Sequence, residues 1–133
     1  MNLSVLVRFE YRKNLDKRRK VLRERSQVLT EVLNTEEEYV STLTFLMVEC
    51  KDILVQRLGL AAEYYTEIFG CIEGIYMLHC ELLKELQARY KARSDPAFWL
   101  GDILCKYLPF FKVYSSYIRN LDNRRNELIE LKA

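Results

Sequence analysis

The sequence predicts an all-α protein with about four helices, two of them long. Half of its 133 residues are apolar and 30% are charged, which is the balance of a globular protein with a single core. Only four glycines and two prolines are present, so the chain has few residues that favour turns. Apolar residues also recur at alternating spacings of three and four over long stretches, which indicates helices with one buried face.

Residues 1–15 are interpreted as an N-terminal lead-in to a helical domain that spans residues 16–133. The pattern in the lead-in is ambiguous, because one set of apolar residues alternates as in a strand and another fits a helix. A lone strand would have no partner here, so we expect a helical extension or an irregular segment. The alternating set is Val5, Val7, Phe9 and Tyr11, and the helical set is Leu3, Leu6, Val7 and Tyr11.

The first long helix is predicted from about Asp16 to Leu58. Two adjacent apolar stripes run along it, so we expect the helix to be buried along much of its length. Gly59 follows at the point where a left-handed residue would end the helix. The first stripe consists of Leu29, Leu33, Glu36, Val40, Leu43, Met47, Cys50 and Leu54, and the second of Val28, Val32, Tyr39, Leu46 and Ile53.

Three further helices are predicted over residues 62–91, 96–107 and 109–131. Asp95 and Pro96 suit the N-cap and the first position of the third helix. A proline at position 109 starts the last helix or kinks it. The apolar residues expected to face inward on the third and fourth helices are Trp99, Leu100, Ile103, Leu104, Val113, Tyr114, Tyr117, Ile118, Leu121, Leu128 and Ile129.

The charge of the chain argues against nucleic-acid binding. It has 21 basic and 19 acidic residues, a net charge of only +2, whereas a nucleic-acid binder concentrates basic residues to displace counterions. The stretch Arg12–Arg25 is nevertheless basic, with eight Lys and Arg residues against Asp16 and Glu24. A solvated helix face is the simplest interpretation. Peripheral contact with a membrane or with an acidic partner is the alternative.

We expect no metal, no cofactor and no disulfide. The four cysteines form no Cys-x-x-Cys pair, and their spacing fits no zinc site. His79 is the single histidine and lies in an apolar stripe, which favours a core residue with a satisfied hydrogen bond. The sequence contains no glycine-rich phosphate loop and no serine nucleophile motif. Because it also shows no secretory signal and no long apolar run, a cytoplasmic location is expected.

Glu36 occupies a position in the apolar stripe of the first helix, between Leu33 and Val40. Burying a carboxylate without a partner is costly. Glu36 must therefore be paired inside the protein, lie at the edge of the buried face, or meet a partner protein. The periodicity leaves these alternatives open, whereas the neighbouring Glu37 and Glu38 are expected to face solvent.

Four stretches of the chain resemble Dbl-homology domains, in the order and spacing of that family. Residues 33–43 contain Thr-Glu, two residues, Tyr-Val and a Leu, which resembles the family's first conserved region. Residues 68–79 resemble the next stretch, with its aromatic residue, spaced isoleucines and histidine. Residues 100–104 and 114–120 resemble the second conserved region through Leu-Gly-Asp-Ile-Leu and Tyr-x-x-Tyr-x-x-Asn. The resemblance covers about residues 26–131.

The resemblance implies an elongated antiparallel helical bundle that promotes nucleotide exchange on Rho-family small GTPases. Exchange of this kind acts through binding and needs no covalent chemistry. The resemblance also implies that the Glu of the Thr-Glu pair, here Glu36, contacts the first switch segment of the GTPase. We therefore expect a GTPase-binding surface at Thr35, Glu36, Tyr39 and Val40, with His79 in the core.

The family's third conserved region, with Gln-Arg, Arg-Tyr-Pro and a run of leucines, is not found in this sequence. By resemblance, that region completes the surface that grips the GTPase. We therefore expect a partial exchange module that is weak or inactive alone. We also expect it to self-associate through apolar faces that the missing helices would cover. The alternative is a helical scaffold or interaction module without exchange activity.

Overall fold

The computed structural model describes residues 3–92 and 99–130, and every regular element in these ranges is helical. The all-α prediction is therefore confirmed. The predicted last helix is present as a short 3-10 helix, Leu108–Lys112, followed by two α-helical segments that are separated at Asn120. The α-helices are α1 (Leu3–Thr44), α2 (Ala62–Lys91), α3 (Gly101–Tyr107), α4 (Val113–Arg119) and α5 (Leu121–Glu130).

The lead-in is helical from Leu3 and continuous with the first long helix. The helical alternative is thus confirmed and the strand alternative is wrong. With 42 residues, α1 is about 63 Å long at the usual rise per residue. Its first turns are exposed, since Leu3, Phe9 and Tyr11 are 78%, 65% and 65% accessible to solvent. The first turns of α1 therefore extend from the part of the helix that packs against the rest of the protein and are not themselves packed.

Beyond Thr44 the first helix widens into two π-helical segments, Phe45–Cys50 and Asp52–Arg57. Such turns carry hydrogen bonds between residues five apart and are rare. The second segment ends at Arg57 with Leu58 as its C-cap, and Gly59 follows with a φ of +68°, a conformation that glycine adopts at little cost. The terminating glycine is confirmed, whereas the π-helical turns were not predicted.

α2 has the bounds predicted and packs antiparallel to α1. The hydroxyl of Tyr65, near the start of α2, donates to the carbonyl of Leu46 at 3.2 Å. His79, further along α2, contacts Glu36, which precedes Leu46 in the first helix. The main core lies between the first three helices and consists of Leu33, Leu82, Leu86, Leu100, Ile103 and Tyr107.

The structure buries fewer apolar residues than the pattern predicted. α3 and α4 have seven residues each, about two turns, so only one narrow face of each can meet the longer helices. Leu100 and Ile103 are buried as predicted. The side chains predicted to face inward that are instead exposed are Val28, Ile53, Trp99, Leu104, Ile118, Leu121 and Ile129. Asp95, Pro96 and the side chain of Leu128 lie outside the described residues.

Candidate partner-binding site

Glu36 is paired with the single histidine of the chain. Its Oε1 atom lies 2.5 Å from Nδ1 of His79, and the two side chains are only 15% and 6% exposed. Of the three alternatives left open by periodicity, the structure shows the internal pair. The prediction that His79 belongs to the core is confirmed. Pairing avoids the large cost of an isolated charge at a buried site.

Two tyrosines extend this pair into a network of four side chains. Nε2 of His79 lies 2.7 Å from the Tyr114 hydroxyl, which lies 2.8 Å from the Tyr39 hydroxyl. With a neutral imidazole, Tyr39 donates to Tyr114, and Tyr114 donates to Nε2. The Nδ1–H group then donates to Glu36, so each hydrogen has an acceptor. The network joins α1, α2 and α4.

Aromatic rings surround the imidazole. The rings of Tyr39, Phe111 and Tyr114 meet His79 edge-on, with centroids 4.7, 5.6 and 5.9 Å away. Burial, and then the hydrogen bond with Tyr39, raise the pKa of the Tyr114 hydroxyl above its ordinary value. Tyr114 therefore remains protonated at neutral pH and can donate to His79.

The four residues predicted to bind a GTPase divide between surface and interior. Thr35 is exposed, and its hydroxyl donates to the backbone carbonyl of Glu31 one turn earlier. Tyr39 and Val40 are half-buried, and Tyr39 is held by the network. Glu36 lies between these environments, paired on one oxygen and partly accessible. The structure thus brings Glu36 and Tyr39 into one network, with Thr35 outside it.

A polar surface, called here the outer face of α1, lies beside Glu36 on the exposed side of the helix. Its side chains are hydroxyl, amide, carboxylate and guanidinium groups, which can form hydrogen bonds with a partner. Sequence reasoning missed this surface because it carries no motif. The polar residues recur at helical spacing on the side of α1 opposite the apolar stripe, and this pattern could have indicated the surface. The lining residues are Arg23, Ser26, Gln27, Thr30, Glu31, Asn34, Thr35 and Glu38.

A second polar cluster holds the start of α3 against α1 and α2. Arg89 donates to the two carboxylate oxygens of Asp102 at 3.1 and 2.6 Å, and to the Trp99 carbonyl at 2.7 Å. The guanidinium of Arg25 lies 3.6 Å above the ring of Trp99. The hydrogen bond from Arg89 lowers the pKa of Asp102. These contacts place Trp99 at the surface, beneath a cation, and not in the core as predicted.

Within the described ranges, no three His, Cys, Asp or Glu side chains come together in a way that could hold a metal ion. In the described part of the chain, no disulfide links Cys50, Cys71, Cys80 or Cys105. None of the helices described is both long and apolar enough to cross a membrane.

Comparisons with known proteins place these residues in a family context. The family model of the RhoGEF domain matches residues 28–133. FYVE, RhoGEF and PH domain-containing protein 3 of Mus musculus is 41% identical over 97 residues, which cover 71% of this chain and 13% of the relative. FYVE, RhoGEF and PH domain-containing protein 1 of Homo sapiens is 38% identical over 107 residues, which cover 77% of this chain and 11% of the relative.

A more distant relative extends the same similarity beyond mammals. Guanine exchange factor for Rac 30 of Dictyostelium discoideum is 30% identical over 106 residues, which cover 80% of this chain and 6% of the relative. The chain therefore spans between 6% and 13% of the length of these three relatives. No solved structure matches it.

Proposed function

The chain belongs to the RhoGEF domain family, also called Dbl-homology, and on that premise we propose that it is part of a guanine-nucleotide exchange module for Rho-family small GTPases. The observation that carries the proposal is the family match over residues 28–133, which includes all four resembling stretches. The chain covers only part of a complete domain of this family. Exchange requires binding that favours the nucleotide-free GTPase over the nucleotide-bound form, so no covalent step is assigned. A cytoplasmic location is proposed together with this role.

The proposed GTPase contact lies on α1 at Thr35 and Glu36. Thr35 is exposed, and Glu36 keeps part of its carboxylate accessible while Oε1 accepts from His79. A carboxylate has lone pairs for further donors, so a hydroxyl or amide of a GTPase could bind without breaking the internal pair. Tyr39 and Val40 are part of the same proposed site. They are half-buried and support Thr35 and Glu36 from below.

We further propose that the 133-residue chain alone catalyses little or no exchange. The sequence lacks the third conserved region, which by family resemblance holds the second switch and the nucleotide pocket. Exchange depends on preferring the open GTPase over the closed one, and a ligand shifts that equilibrium only by its differential affinity. A surface that meets the first switch alone supplies part of that difference.

The test is release of a fluorescent guanine nucleotide from a panel of Rho-family GTPases. It compares the 133-residue chain, a version extended through the third conserved region, and the extended version with Glu36→Ala. Activity is expected only in the extended version. Loss of a hydrogen bond to a charged group should reduce the rate about 10- to 100-fold in the Glu36→Ala variant.

Two further variants separate contact from folding. Glu36→Gln keeps an oxygen that can accept from His79 but removes the charge, so it should preserve stability while still slowing exchange. Glu49→Ala is the matched control, because Glu49 is an exposed acid of the same long helix outside the proposed surface. Rapid exchange by the 133-residue chain contradicts the proposed inactivity. Full activity in a folded Glu36→Ala variant contradicts the role of Glu36.

A helical scaffold without exchange activity is the second candidate function. The hydrogen bond between Glu36 and His79 favours it, because this internal contact accounts for the carboxylate without a partner protein. Measuring the affinity of the extended version for nucleotide-free GTPases distinguishes the two functions. A folded extended version that binds none of them supports the scaffold.

A further inference from the structure

α1 carries a segment that lies outside the family match. The helix begins at Leu3, whereas the match begins at residue 28. The N-terminal extension is defined here as residues 3–25. It holds nine basic and three acidic residues, a net charge of +6, so the rest of the chain carries −4 against the total of +2. The basic residues of the chain are thus concentrated at one end of α1.

The first turns of the N-terminal extension expose apolar side chains on several sides. Val5, Val7, Phe9 and Tyr11 are between 53% and 65% exposed. At 100° per residue, Val5 and Phe9 lie on the side of the helix opposite Val7 and Tyr11. A partner helix covers a stripe somewhat wider than 100°, so it would leave some of these side chains in water. A lipid interface has no fixed groove, so it can take up side chains over a wider arc of an obliquely placed helix.

Basic side chains follow these apolar turns immediately. Seven exposed Lys and Arg residues lie between positions 12 and 23. Arg19 contacts Asp16 at 3.9 Å and Lys20 contacts Glu24 at 3.8 Å, but all four side chains are at least 60% exposed. Exposed pairs of this kind are weak, so the cations remain available to stronger anions.

The charge also disfavours a second copy of the chain as the occupant. Two N-terminal extensions placed side by side would each bring a net charge of +6, and like charges in close contact repel. A negatively charged lipid surface has the complementary sign and attracts basic segments next to it.

We propose that the N-terminal extension binds the surface of anionic lipid membranes. The apolar residues of Leu3–Tyr11 enter the boundary between headgroups and acyl chains, and the cations of residues 12–23 lie among the headgroups. The proposal is independent of the exchange function, because it uses no residue of the family-matched region.

The geometry leaves the helical bundle clear of the membrane. Leu29 is the first apolar residue of α1 that packs against the main core, and it lies 20 positions after Phe9. At the usual rise per residue, the main core begins about 30 Å along the helix from Phe9. An oblique contact made by the extension therefore does not require the bundle to enter the lipid.

The test is flotation of the 133-residue chain with vesicles of phosphatidylcholine alone or mixed with phosphatidylserine, at low and high salt. Binding is expected only to vesicles that contain phosphatidylserine, and it should weaken as salt screens the charges. Reversing two charges with Lys13→Glu and Lys17→Glu should lower the affinity at least about tenfold. The control reverses the exposed Lys84 and Lys112, which lie outside the extension, and should retain binding.

A second pair of variants tests the apolar part of the contact. Val5→Ser with Phe9→Ser should also reduce binding, because the extension then loses two apolar side chains that enter the lipid. Met77→Ser with Leu108→Ser is the control, since both residues are 62% exposed elsewhere. Circular dichroism of each variant verifies that the helices are retained.

The outcomes are distinct. Loss of binding in both N-terminal variants, with both controls unaffected, supports the proposal. Failure of the unaltered chain to bind phosphatidylserine vesicles at low salt overturns it, and so does binding that the Lys13→Glu, Lys17→Glu variant retains. Full binding by the Val5→Ser, Phe9→Ser variant overturns the apolar contact. Binding to polyglutamate but to neither kind of vesicle replaces the membrane with an acidic protein partner.

Discussion

Glu36 and His79 supply each other's hydrogen-bond partner at a site with little access to water. Tyr114 and Tyr39 complete the arrangement, so the position of the Glu36 carboxylate depends on side chains of three helices. At this scale a residue proposed to contact a GTPase is also a structural residue. Experiments on Glu36 must therefore measure stability and exchange separately.

Replacing His79 with Phe should lower the free energy of unfolding by about 2–4 kcal/mol. The reason is that Glu36 would remain largely buried without a partner. Tyr114→Phe removes two hydrogen bonds, those with His79 and Tyr39, and should cost about 1–3 kcal/mol. Urea denaturation of each variant measures these changes.

The control for the His79 prediction is the double variant with Glu36→Leu. It leaves no uncompensated charge at the site, so it should lose less stability than the two single variants together. Additive losses would show that the hydrogen bond between Glu36 and His79 contributes nothing to the free energy of folding.

We expect the free energy of unfolding to decrease at alkaline pH because of three tyrosine hydroxyls. Burial is the largest cause that raises the pKa of Tyr65, Tyr107 and Tyr114 in the folded protein. A group whose folded pKa is raised contributes stability below its unfolded pKa, which is about 10 for tyrosine, and loses it as the pH rises further. The urea concentration at the midpoint of unfolding should therefore decrease as the pH is raised beyond about 10. Tyr114→Phe should flatten this fall, whereas the same change at exposed Tyr64 should leave it intact.

At the scale of elements, α3 depends on its neighbours because seven residues are too few for a stable isolated helix. Arg89 of α2 binds Asp102 in its first turn with two hydrogen bonds. The Tyr107 hydroxyl in its last turn donates to Glu85 of α2 at 2.9 Å. Polar contacts at both ends thus hold the buried face of α3 against α2.

α2 and α4 approach each other closely at Gly74. A Cβ atom at this position would lie 2.9 Å from Cγ2 of Val113, which is closer than carbon atoms can pack. Gly74→Ala should therefore separate the two helices and lower the free energy of unfolding by about 1–3 kcal/mol, measured by urea denaturation.

Gly70 supplies the matched control for Gly74. It lies in the same helix, and a Cβ there would meet only Thr66 at an ordinary 3.4 Å. Gly70→Ala should be neutral or stabilising, because alanine favours the helix. Adding Val113→Ala to Gly74→Ala should recover part of the loss. Equal losses at both glycines would contradict a specific close approach.

On the scale of the whole molecule, apolar side chains remain exposed on several elements besides the N-terminal extension. Monomeric proteins seldom expose large continuous apolar surfaces, and such surfaces tend to acquire partners. The exposed residues include Phe45, Val48, Met77, Leu104, Leu108, Phe110 and Ile118.

We expect the 133-residue chain to self-associate as its concentration rises, because association would cover this apolar surface. Light scattering coupled to size-exclusion chromatography measures the mass. Added salt should not weaken the association, since burial of apolar surface drives it and the repulsion between basic extensions is screened. A monodisperse monomer at high concentration would show that the helices close on themselves.

Local patterns in the sequence were sufficient to predict much of the fold. Helical spacing predicted the all-α class and both ends of α2, and the glycine at position 59 marked the end of the first helix. The motif around Thr35-Glu36 indicated the family, which the comparisons confirmed. These features depend on the spacing and backbone preferences of residues near one another in the chain, so they can be read without a structure.

Only the tertiary structure decided where the side chains meet. Glu36 finds its partner 43 residues away, and Tyr39 meets Tyr114 across 75 residues. The surface position of Trp99 depends on Arg25 and Arg89, which come from two other helices. Periodicity states which face of a helix is apolar but not which helix covers it or where its packing stops. For that reason Leu33 is buried and Tyr11 is exposed, although both belong to apolar residues at helical spacing in the same helix.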